Sequence, residues 1–120
     1  MNIIHLSDVK EERGGHPLFT GDVIRQSPLD GMKDADLSVT YVYFPKGVRN
    51  KFHSHSNGQV LIVTKGSGII ATESKKFNVK VGDIIWIPPG EIHWHGADAT
   101  SDFTHISVTK AGTQINQSEK

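Results

Sequence analysis

An antiparallel all-β fold, a sandwich or a barrel, is what the sequence predicts, and three observations predict it. Short runs rich in β-branched and aromatic residues recur along the chain. Turn sequences built on Gly and Pro separate them at short intervals. No stretch carries the apolar spacing of a long amphipathic helix.

The elements follow in order. Met1 to Gly15 has Ile3, Ile4, Leu6 and Val9 as its strong apolar residues, interrupted by Asp8, Glu11 and Glu12. Such a stretch supplies neither a secretory leader nor a membrane span, so a cytoplasmic location is expected. Residues 36 to 44, DLSVTYVYF, alternate with Leu37, Val39, Tyr41 and Tyr43 on one side and read as a strand. Residues 59–65, 67–73, 83–88 and 102–109 have the same character. Between these runs stand Pro45-Lys46-Gly47, Asn57-Gly58, Lys65-Gly66-Ser67-Gly68, Val81-Gly82-Asp83 and Pro89-Gly90. The final AGTQINQSEK, residues 111–120, loses the apolar pattern and is expected to be a mobile tail. The core therefore spans about residues 17–110 of a single domain, 1–120.

At 120 residues the chain is long enough to bury a core without staples, and it contains no cysteine for disulfides or thiolate chemistry. Thirteen basic and thirteen acidic side chains cancel, so no basic field draws it to nucleic acid or to an anionic membrane. The expected partner is a small molecule or another protein.

Five of the seven histidines fall between positions 53 and 105, as His53-x-His55, His93-x-His95 and His105. On a strand His53 and His55 share a face, about 6.7 Å apart, while Phe52 and Ser54 face away. Two imidazoles at that spacing can converge on one ion. Gln59 returns after Ser56-Asn57-Gly58 and offers an amide oxygen as a third donor. His93 follows the bend at Pro88, Pro89 and Gly90 and completes a set of four. A lone His-x-His is more often structural polarity than a ligand pair. Two such pairs, each preceded by glycine and each placed at a turn, make coincidence a poor explanation.

These residues resemble the cupin superfamily. Its first motif, G-x5-H-x-H-x3-E-x6-G, aligns with Gly47, His53, His55, Gln59 and Gly66, and its second, G-x5-P-x-G-x2-H-x3-N, with Gly82, Pro88, Gly90, His93 and, for the asparagine, Ala97. The resemblance implies a double-stranded β-helix, the small jelly-roll barrel. Gln59 in place of glutamate, HWHGA at 93–97, Phe19-Thr20-Gly21, Gly58 to Val63 and the later His105 resemble one branch of small cupins, which includes carboxymuconolactone-decarboxylase-like cupins and cupin-type hydroxynitrile lyases. By position, that likeness implies metal ligands His53, His55, Gln59 and His93, with His95 and His105 lining the pocket. It also implies a homodimer. Asn50 falls where those lyases can carry a smaller hydroxyl residue, so substrate preference does not transfer.

Three imidazoles and an amide leave a divalent ion its full charge, which favours Lewis-acid chemistry over oxidation. Nitrogen and oxygen donors suit Mn or Fe first, with Zn and Ni also compatible. His95 and His105 are the candidate proton shuttles, since an unperturbed histidine titrates near neutral pH; the bland alternative is that they only orient a ligand. The expected function is metal-dependent cleavage of a carbon–carbon bond in a small hydroxy or carbonyl compound. The alternatives are a non-catalytic module that binds a small carboxylate and an oxygen-using dioxygenase. The lack of a helix-turn-helix pattern argues against a regulator. Phe52, Trp86 and Trp94 read as barrel or interface packing, Phe44, Ile62 and Val63 as ordinary strand residues, and His5 and His16 have no role.

Overall fold

The computed structural model describes residues 1–15 and 17–120; the expectation for His16 lies outside the described residues. Runs of β-branched and aromatic residues become ten strands: β1 (Glu12–Gly14), β2 (Val23–Gln26), β3 (Leu37–Phe44), β4 (His53–His55), β5 (Gln59–Thr72), β6 (Lys76–Lys80), β7 (Ile84–Ile87), β8 (His93–Ala97), β9 (Phe103–Lys110) and β10 (Ile115–Gln117). A single 3₁₀ turn, Leu6–Asp8, precedes them. Among the described residues no helix is long and apolar enough to cross a membrane.

Every pairing is antiparallel. One sheet runs β1-β2-β3-β9-β5-β7, and the other runs β6-β5-β8-β4-β10. β5 belongs to both. Its first half, from Gln59, pairs with β7 and β9, and its second half pairs with β6 and β8. The sequence divided this segment at Lys65-Gly66-Ser67-Gly68; in the structure it is one strand of 14 residues. An irregularity in register between Val63 and Lys65 bends the strand where the division was expected. Gly66 has φ +69° there, and a Cβ on it would meet the Asp102 carbonyl oxygen. Glycine is required by both conformation and space.

Between the two sheets lie Val23, Val42, Phe44, Leu61, Val63, Ile70, Val79, Ile87, Ala97 and Phe103. In β3 the buried side is Val42 and Phe44, and Tyr41 and Tyr43 stand on the outer side. The outer side is covered in part by the N-terminal turn, held by Gln26 Nε2 donating to the carbonyls of Leu6 and Val9 at 3.0 Å each.

Residues 111–120 correct the expectation of a mobile tail. β10 pairs with β4 in register, Ile115 opposite His55 and Gln117 opposite His53. Glu119 then closes on Arg49 with two charge-assisted hydrogen bonds of 3.1 and 2.9 Å and accepts the Phe52 N–H at 2.8 Å. Polar composition hid the strand because an edge strand needs only backbone partners and one good ion pair, not an apolar face.

Candidate metal centre

β4 and β8 lie side by side with His53 opposite His93. Gly90 donates its N–H to the His55 carbonyl at 2.9 Å, so the Pro88-Pro89-Gly90 bend is pinned to the strand it serves. One ring nitrogen each from His53, His55 and His93 lies within 4.8 Å of the others. Their ring centroids are 4.4 Å apart for His53 and His93, 4.9 Å for His53 and His55, and 5.2 Å for His55 and His93. All three are buried.

The tautomers follow from the surroundings. His53 Nδ1 donates to the Lys51 carbonyl at 2.6 Å, and His93 Nδ1 donates to the Glu91 carbonyl at 2.8 Å. Each ring therefore presents an unprotonated Nε2. His93 Nε2 is buried with no hydrogen-bond partner, and so is His55 Nδ1. Gln59 completes the pattern. Its Nε2 donates to Ser107 Oγ at 2.8 Å, which fixes the amide, while its Oε1 is buried and unpartnered. Lone pairs left idle inside a protein are costly unless something else takes them. A divalent cation fits this donor set of three imidazoles and an amide oxygen. The charge state agrees: burial first, then the neighbouring His93, pushes His53 down to about 3 and His55 to about 4, and burial lowers His93. The imidazoles are neutral at pH 7, as ligation requires.

His95 and His105 form a second layer. His95 points inward from β8, its ring stacked at 5.7 Å on His93 and 5.9 Å from His53. His105, on β9, is fully buried and stands 2.9 Å from His95 Nδ1 through its Nε2. Asn50 holds the first of them: its Oδ1 accepts the His95 N–H at 2.8 Å, its own N–H donates to the His95 carbonyl at 2.9 Å, and its Nδ2 lies 3.1 Å from His95 Nε2. Phe44 and Phe103 wall off the pair, Phe44 touching both rings and Phe103 touching His105. The expectation of two histidines titrating near neutral pH is corrected here. Burial, reinforced at His95 by the surrounding imidazoles, holds His95 well below its usual value and pushes His105 to about 3.

A cavity of about 170 Å³ opens beside these groups, walled by His53, His55, Gln59, His95, His105 and Asn50 together with Phe19, Phe44, Val42 and Arg25. Phe44, read as an ordinary strand residue, is thus part of the wall. Asn50 and Ser107 gave no signal as orienting groups, because each works through one side chain brought near by pairing distant strands. Trp94 packs between Arg49 at 4.6 Å and Lys76 at 5.7 Å, and Phe52 holds Glu119 through its backbone. Trp86 is not barrel packing, being 63% exposed on the outer side of β7, and His5 is exposed.

Residues 34–118 match the family described as the AraC-like ligand binding domain. The structure superposes on a cupin-like protein from Thermotoga maritima with a TM-score of 0.84 and 31% identity, over 91% of this chain and 85% of that one. The chain belongs to this family and is a small cupin. The cupin is also 37% identical over 110 residues, 90% of its length and 83% of the other's, to a protein named (R)-mandelonitrile lyase from Granulicella tundricola. A polyketide cyclase from Streptomyces resistomycificus shares the fold, with a TM-score of 0.86 over 98% of this chain and 84% of that one at 21% identity.

Proposed function

We propose that this cupin is a metal-dependent lyase that cleaves a carbon–carbon bond in a small hydroxy compound, as a hydroxynitrile lyase does. The observation that carries the reading is the approach of His53, His55 and His93 ring nitrogens to one another, with His93 Nε2, His55 Nδ1 and Gln59 Oε1 buried and unpartnered and Gln59 in the wall of the same cavity as His53 and His55. A divalent Mn, Fe, Zn or Ni ion held by His53, His55, Gln59 and His93 would supply Lewis acidity undiminished by any carboxylate ligand. Ser107 keeps the Gln59 oxygen aimed inward. His95, the nearer of the second pair, takes the hydroxyl proton as the carbon–carbon bond breaks, and the departing carbanion or cyanide collects it. His105 shares that proton across its 2.9 Å contact, and Asn50 keeps the His95 ring in place. The relative named (R)-mandelonitrile lyase supports cyanohydrin cleavage as the activity to try first.

A second reading, a non-catalytic module that captures a small carboxylate, is favoured by the match to a family described by ligand binding. The test is elemental analysis of the purified protein and of His53→Ala, with mandelonitrile cleavage assayed after loading Mn, Fe or Zn. Stoichiometric metal that the variant loses, with cleavage by the loaded protein, is expected. Metal retained by His53→Ala refutes the ligand set, absence of turnover with every metal favours the binding module, and oxygen uptake favours a dioxygenase. We also propose that the protein is a homodimer, covering the exposed Ile84 and Trp86 of β7 with a second copy. Light scattering that returns a single chain mass refutes this.

A further inference from the structure

Arg25 is the charged cavity residue for which the chemistry above has no use. It lies opposite Val42 on β3, Val42 lies opposite His105 on β9, and His105 lies opposite Val63 on β5. Residues directly across a sheet project to the same side, so Arg25 belongs to the inward row that carries His105. Buried Val23, two residues earlier on β2, has the same parity. The guanidinium carbon sits 5.6 Å from the centroid of Phe19, whose ring packs on Phe44, which in turn packs on His95 and His105.

The charge of Arg25 is not answered by the chain. Among the described residues the ion pairs are Arg13 with Glu11 and Arg49 with Glu119. Glu12 stands opposite Arg25 in register on β1, yet no ion pair joins them. Arg25 Nε is buried and has no hydrogen-bond partner. The cavity wall contains no aspartate or glutamate, and Arg25 is its single Lys or Arg. The idle, buried Nε–H of this partly buried side chain is a cost that a ligand's acceptor oxygen would remove.

We propose that Arg25 is a specificity residue and that the natural ligand is a small organic acid. Its carboxylate pairs with Arg25 while a hydroxyl or carbonyl oxygen elsewhere on the molecule lies toward His53, His55, Gln59 and His93. The second anchor rests on the metal-centre reading; the first does not. A lone guanidinium with no second cation in the wall suits a singly charged carboxylate rather than a phosphate dianion. A neutral cyanohydrin leaves Arg25 unpaired and is therefore an incomplete substrate.

The experiment is calorimetric titration with hydroxy acids of two to five carbons, each against its neutral amide, using metal-loaded wild type, Arg25→Gln, Arg25→Lys and His53→Ala. At least one acid is expected to bind wild type about tenfold more tightly than its amide. Arg25→Gln abolishes that ratio, Arg25→Lys keeps part of it, and His53→Ala weakens acid and amide alike without changing it. If no acid outbinds its amide in wild type, the proposal is overturned whatever the variants do. It is equally overturned if folded Arg25→Gln keeps the preference. Should His53→Ala leave every affinity unchanged while the ratio still depends on Arg25, the metal reading fails and the carboxylate site stands.

Discussion

Asn50 is 2% exposed and spends its side-chain oxygen and its backbone N–H on the two backbone polar groups of His95. Removing the carboxamide strands the His95 N–H inside the protein and frees the ring that the Nδ2 steadies. Asn50→Ala is expected to cost about 1–3 kcal/mol, read as a lower urea midpoint with an unchanged slope, while metal stoichiometry stays intact. A loss of metal instead would mean that Asn50 holds β4 rather than His95. At this scale the sequence was half legible. His53, His55 and His93 stand out through spacing alone, since strand parity and two turns suffice to bring them together, and Gln59 lines the same cavity as His53 and His55. Asn50, Phe44 and Arg25 do not, because each reaches the cavity by a pairing between strands far apart in the chain, and no local pattern records such a pairing.

Among the elements, β10 has little apolar content and a large positional influence. It pairs with β4, the strand that carries His53 and His55, and Glu119 beyond it fastens Arg49 and Phe52 on either side of Asn50 and Lys51. Hydrogen bonds from the Arg49 side chain and the Phe52 backbone hold the Glu119 carboxyl below its usual 4.5. A lowered carboxyl stabilises the folded state fully above the unfolded value and loses that contribution as pH falls through the folded one. Amide protection in Ile115–Gln117, relative to the unfolded chain at the same pH, should therefore fall on acidification below 4.5, and Glu119→Gln should show much of that fall at pH 7. Equal protection at both pH values would show that backbone pairing alone retains the strand. The sequence could not reveal this element, because its stabilising contacts are one ion pair and main-chain bonds. β3 and β9, with alternating apolar residues, were evident from pattern.

For the whole molecule, five buried histidines make the metal-free protein acid-sensitive. His53 and His105 are pushed to about 3, His55 to about 4, and His93 and His95 are also lowered, all with burial as the leading cause. The unfolded chain takes up protons below 6.5 and the folded one does not, so stability falls as pH drops from 6.5 towards 3–4. One unit below 6.5 the loss is about 1 kcal/mol for each fully neutral histidine. Thermal melts of chelated protein between pH 7.5 and 5 check this. A melting temperature that holds flat across the range would contradict it, and added divalent metal should raise the upper end most, where the ligands are deprotonated. The barrel itself was legible, from strand density and turn spacing, but its one-piece β5 was not, because Gly66 reads as a stop and acts as a bend. That bend ties the fates of the two layers together. With a single ribbon stitched into both, neither sheet can peel away while the other persists, so the histidines of β4 and β8 and the inward row of β3 and β9 should melt as one cooperative unit.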